Sequence, residues 1–284
     1  MPRLTHRSVI CLCIISASIS QLARADDFDN GLINDIDHAL PGGARVYDSS
    51  TGDTTTINAL SGAVINGIEA NDSSVVKIFD GSQITSDLNA NDTSMVSVLG
   101  GSLINVDALN GCELTISGGI FSGSGGRAVG AFDDAVVNIT GGEFLGATTF
   151  TLLSNENSTI NVSGGSIDGE IRSNNDSMIN IWGGTGISDV TAVEHSIMKI
   201  YGLDFSIESL GAVSLNSPFV ISDETYNGEL LTGTLADGSA ISADILNGVV
   251  GSKIVLVAVP DPASIWLVGS SLLGLFGFSR RKAT

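Results

Sequence analysis

Val137-Asn138-Ile139-Thr140-Gly141-Gly142, Ile160-Asn161-Val162-Ser163-Gly164-Gly165 and Ile179-Asn180-Ile181-Trp182-Gly183-Gly184 are three versions of one phrase. An apolar residue comes first and third, an asparagine stands between them, and a glycine pair closes the unit. Alternation with period two marks a strand that buries one face. The buried set is β-branched, which suits a pleated half-buried surface. The glycines permit a sharp corner that a side chain would resist.

The phrase extends in both directions. Turn pairs fall at Ser61-Gly62, Asp80-Gly81, Gly100-Gly101, Gly118-Gly119, Gly141-Gly142, Gly164-Gly165 and Gly183-Gly184, ending at Gly202, with intervals of 19, 20, 18, 23, 23, 19 and 19 residues. Before the turns stand Val76/Ile78, Val96/Val98, Leu114/Ile116 and, at the far end, Met198/Ile200. After them a second apolar residue returns inward: Ile84, Leu103, Phe121, Phe144, Ile167, Ile187 and Phe205. Asn71-Asp72-Ser73-Ser74, Asn91-Asp92-Thr93-Ser94, Asp133-Asp134, Asn155-Glu156-Asn157-Ser158 and Asn174-Asn175-Asp176-Ser177 mark the opposite corner, where such residues bond their own backbone and tolerate left-handed geometry.

A period near 20 signals a solenoid. The expectation is an all-β chain whose residues 50–215 form a right-handed parallel β-helix. With coils about 4.8 Å apart, eight of them make a rod on the order of 35–40 Å long. Its stability is nearly additive along the rod and needs capped ends. Residues 26–49 are read as an irregular N-terminal cap. Residues 216–258 are read as a C-terminal β-hairpin cap with Asn227-Gly228 and Asp237-Gly238 turns, closed by a last strand at Lys253 to Val259.

The two ends carry addresses. Arg3 and Arg7 precede an apolar run from Val9 to Ile19, and Ala23-Arg24-Ala25 offers a small-residue cleavage site, the layout of a secretory signal over residues 1–25. Residues 259–284 open with Val259-Pro260-Asp261-Pro262. An uncharged run from Ala263 to Phe278 follows, and then the basic cluster Arg280-Arg281-Lys282. The prolines keep the chain extended, the apolar run can enter a bilayer as a helix, and the cations hold its end on the cytoplasmic side. At 16 residues the run is shorter than the ~20 of a full span.

This three-part tail resembles the PEP-CTERM sorting signal of Gram-negative surface proteins, with Asp261 where that family usually has Glu. The resemblance covers the tail alone. It implies a membrane segment before processing, cleavage by the membrane enzyme exosortase, and an association with exopolysaccharide and biofilms. The segment Thr232-Gly233-Thr234-Leu235-Ala236-Asp237-Gly238-Ser239 is similar to stretches that follow β-helix bodies in the same family.

Twelve basic residues stand against 31 acidic ones, a net charge of −19. Losing the signal and then the basic tail takes three cations each, which leaves −22 and then −25. Such a surface repels nucleic acid and anionic lipid. Cys112 is the one cysteine beyond the signal segment, so it has no intramolecular disulfide partner there and reads as a core thiol.

The chain carries few residues in a spacing that marks catalytic chemistry. Arg127 and Arg172, two coils and about 10 Å apart, are the candidate bases of a polysaccharide lyase but read as solvated charges. The Asn-Asp corners lack the Gly-Gly-x-Gly-x-Asp repeat of calcium-binding rolls. Gly123-Ser124-Gly125-Gly126 has no Lys-Ser/Thr after it and is no phosphate loop. No metal or cofactor site is read. Trp182 and Tyr201 precede successive turns at the same outward position and form the best candidate glycan contact. The expected role is a non-enzymatic structural spacer or adhesin at the cell envelope, outer surface or extracellular matrix. The rival is a pectate-lyase-like lyase or hydrolase.

Overall fold

A computed structural model of the chain describes residues 24–48, 53–123, 126–146, 149–222, 226–247 and 251–259. These residues are all-β, without an α-helix, and wind into a β-solenoid of about eight turns. Each coil offers three faces. The first face holds the alternating strands, among them Val75–Ile78, Met95–Val98, Glu113–Ile116 and Val136–Ile139. Ile139, Val162, Ile181, Ile200 and Leu256 lie in direct parallel register and are fully buried. Each such side chain contributes about 1.5–3 kcal/mol of hydrophobic stabilisation before chain entropy is set against it.

The glycine pair turns the chain onto the second face. Its second member takes positive φ, 108° at Gly142 and 103° at Gly165, which a β-branched residue would resist. Ile84, Leu103, Phe121, Phe144 and Ile167 then form a second inward column in register. Within it Phe121 and Phe144 stack at 4.7 Å between centroids and 15° between planes.

A third face, with strands Ile68–Ala70, Leu88–Ala90, Val106–Ala108, Val129–Ala131 and Leu152–Ser154, completes the coil. Ile68, Leu88, Val106, Val129, Leu152 and Ile171 stack inward there, beside a column of small residues that includes Ala70, Ala90, Ala108 and Ala131. The corner back to the first face holds residues in left-handed geometry, Asp72, Asp92, Asn110, Asp133, Glu156, Asn175 and Glu194, with φ between 54° and 61°. That corner is where Asn and Asp were expected.

Two expectations need correction. Residues 26–47 are not irregular: Asp26–Phe28, Ile33–Ile36 and Ala39–Leu40 pair in parallel with Ala44–Val46, Thr56–Ala59 and Val64–Ile65. The pattern was hidden because Asn34 holds an inward position. Its amide donates to the carbonyls of Leu32 and Thr56, both at 3.1 Å, and ends the aliphatic column with a polar group.

The second correction concerns Asn227-Gly228, which does not join a hairpin. Phe219–Ser222 pairs antiparallel with Lys253–Ala258 instead, and fully buried Ile221 sits beside Ile254. The Asp237-Gly238 hairpin does form, between Glu229–Leu235 and Ala240–Asn247. It closes the rod by pairing with Met178–Ala192 and Ile197–Ile207. Lys253–Ala258 continues the first face.

Candidate functional site

Trp182 and Tyr201 come together as expected. Ile181 pairs with Val162 while Gly183 pairs with Ser163, so Trp182 is the extra residue of a bulge. Tyr201 follows on the next coil and pairs with Val257. Their rings stack at 4.6 Å and 12°, and both are half-buried.

The cap hairpin braces this plate. The Ala236 and Asp237 amides donate to the carbonyls of Tyr201 and Trp182 at 2.9 and 3.0 Å. The Asp237 carboxylate accepts from the Gly184 amide at 3.1 Å, and the Ser239 hydroxyl donates to the Gly184 carbonyl at 2.9 Å. A fixed, half-exposed aromatic plate suits the C–H face of a sugar ring.

A second feature lies on the third face. Arg45, Glu69, Asn89 and Asp107 follow one another at the outward position of consecutive coils. Arg45 Nε donates to Glu69 at 2.9 Å, and the neighbouring carboxylate holds the Arg45 guanidinium above its usual pKa, by hydrogen bond first and by charge second. Arg127 reaches back to Asp107 with Nε on Oδ1 at 2.7 Å and Nη2 on Oδ2. Its guanidinium lies 4.9 Å from the centroid of the Phe132 ring. Glu69, Asn89, Asp107, Arg127 and Phe132, with Asn71, Asn91, Asp92 and Asn110, line an open groove of about 680 Å³.

Arg127 is therefore not an isolated solvated charge, as the sequence had suggested. It stands in the insertion that lengthens its coil to 23 residues, and Gly130 clears its path. A Cβ on Gly130 would come within 2.6 Å of Arg127 Nε, Asp107 Oδ1 and the Phe132 ring. Arg172 stays apart, bonded to Asn174 at 2.8 Å, 4.0 Å from Glu170 and stacked over Phe150 at 4.8 Å. Asp107 and Asn89 had no signal in the sequence, because nothing marked their short strands as a third face.

Of the processing residues, Ala25 is half-buried just before the first strand, and the amide of the next residue, Asp26, donates to the Gly43 carbonyl at 3.0 Å. Val259 donates its amide to the Gly202 carbonyl at 3.2 Å. Ala23, Pro260, Asp261, Pro262, Arg280, Arg281 and Lys282 lie outside the described residues, as does the apolar run between Pro262 and Arg280. Among the described residues no helix is long and apolar enough to cross a membrane, and no group of three or more His, Cys, Asp or Glu could hold a metal. No family model, curated protein or solved structure matches the chain.

Proposed function

We propose that this chain is an exported surface or extracellular-matrix protein of a Gram-negative bacterium, processed at its C-terminus by exosortase. Its body works as a structural spacer or adhesin in contact with exopolysaccharide. The β-helix is right-handed, following the hand of strand crossovers in general. The tail from Val259 enters the inner membrane as a helix until it is cut.

One observation carries this reading. Among the described residues the parallel ladder reaches Ala258, and Val259, whose amide bonds the Gly202 carbonyl, is the first residue of the Val-Pro-Asp-Pro motif. A cut beyond it would release the rod whole. The braced Trp182–Tyr201 plate supports the polysaccharide contact.

A polysaccharide lyase or hydrolase is the second reading, favoured by Arg127 and three carboxylates lining one groove. Against it, Arg127 commits two donors to Asp107, which suits a fixed recognition group better than a base that must approach a substrate proton.

Expression in hosts with and without exosortase, with mass spectrometry of both termini, tests the export and processing. The expected product begins at Asp26 and ends near Pro262 only where exosortase is present. A chain that keeps Lys282 in both hosts would refute processing, and one that keeps Met1 would refute export. Unsaturated sugars released from an acidic polysaccharide, and lost in Arg127→Ala, would promote the second reading.

A further inference from the structure

We propose that the third-face groove binds a neutral, hydroxyl-rich polysaccharide, with Asn89 as its central recognition residue. This rests on the polysaccharide contact proposed above. It places that contact on a second surface and names the chemical class of the glycan.

The arrangement of charge leads to Asn89. On the coil before it, Glu69 is paired with Arg45 at 2.9 Å. On the coil after it, Asp107 is paired with Arg127. The Asn89 amide stands between these two ion pairs, half-buried, and its side chain has no hydrogen-bond partner among the described residues. It is shared by the groove of about 680 Å³ and by a smaller hollow of about 230 Å³ on its other side. At the groove's far edge the Asn110 side chain is also without a partner among the described residues.

An unengaged amide offers two donors and an acceptor, the complement of vicinal hydroxyls. Both flanking arginines are already occupied by carboxylates, so among the described residues lining the groove no spare cation is left to neutralise a uronate or sulfate. Asp92 adds a further negative charge to the wall, and the chain as a whole carries −19. Polyanions are repelled by that field, while an uncharged chain is indifferent to it. Phe132, fixed beneath Arg127, supplies an apolar wall for the ring C–H groups. The coil rise of about 4.8 Å is close to the length of one pyranose residue, so successive sugars can meet successive coils.

Pull-down of the full-length chain in mild detergent onto beads coated with a neutral β-glucan, a galactomannan or alginate tests the inference. Asn89→Ala and the near-isosteric Asn89→Asp are compared with wild type, each also in a Trp182→Ala background, and folding is checked by circular dichroism. The expected result is retention on a neutral polymer and not on alginate. Either Asn89 substitution should weaken it about three- to tenfold in both backgrounds, the worth of one or two uncharged hydrogen bonds.

Retention that ignores both Asn89 variants overturns the groove and leaves polysaccharide contact standing at the aromatic plate. Stronger retention on alginate overturns the neutral class. No retention on any polymer overturns the groove together with the reading beneath it.

Discussion

Arg127 grips both carboxylate oxygens of Asp107 on the preceding coil, and it does so by lying across the bare backbone of Gly130. Side-chain exposure is 29 % for the arginine and 12 % for the aspartate, so the pair is sheltered without being sealed from water. The contact ties a long insertion to the regular ladder and fixes one wall of the groove.

Gly130→Ala should break that grip, because the new methyl would sit within 2.6 Å of both partners. The expected loss is about 1–2 kcal/mol, below the value for a fully buried pair because water still reaches this one. In an Arg127→Ala background the same substitution should be much less damaging. Urea unfolding of the four forms measures the difference, and equal losses in both backgrounds would show that the clash lies elsewhere.

The two alternating columns were legible because the code is redundant. Ile139, Val162 and Ile181 repeat one strand phrase, and each is closed by a glycine pair with one permitted geometry. The third face was not legible. Its strands are three residues long, and their inward positions end in Ala70, Ala90, Ala108 and Ala131, a residue with little strand preference. Insertions before Val129 and Leu152 also shift the period just where the face begins. Asp107 meets Arg127 across a coil boundary that no local pattern reports, so the groove had to be seen in three dimensions. The aromatic plate was easier, since Trp182 and Tyr201 each precede a turn.

Cys112 sits fully buried at the corner where Ser94 precedes it and Ala135 follows it, each with its amide bonded to a carbonyl three residues earlier. Burial pushes its thiol up from 9.0 to about 11. The folded chain thus holds the proton more tightly than the unfolded one. That stability is fully present below pH 9 and is lost as pH rises toward 11, by about 2–3 kcal/mol in all. Cys112→Ala, which copies Ala135, should remove this increment from the alkaline limb of a stability profile. A thiol reagent at pH 8 should label wild type only on unfolding, and rapid labelling of the folded chain would contradict the burial.

Glu194 adopts φ of 61° at a corner where most coils place Asp or Asn. A long side chain gains nothing there, whereas asparagine tolerates left-handed geometry through its local hydrogen bonding. Glu194→Asn should raise stability by about 0.5–1 kcal/mol, read as an increase in melting temperature, and should leave glycan retention unchanged. Glu156 shares the geometry, but its carboxylate accepts from the Asp133 amide at 2.9 Å, so the same exchange there should gain less.

Phe144→Ala would empty the centre of the second column, where the ring stacks on Phe121 and is fully buried. Loss of a buried phenyl typically costs about 3–5 kcal/mol. In a rod each coil touches only its neighbours, so the damage should stay local. Hydrogen exchange should accelerate first at Ile120–Phe121, Glu143–Phe144 and Ser166–Ile167, the strands paired on this column. Amides of Val75–Ile78, three coils away, should keep most of their protection. Uniform loss of protection along the chain would mean that the coils unfold as one cooperative block, and nearest-neighbour additivity would then fail for this rod.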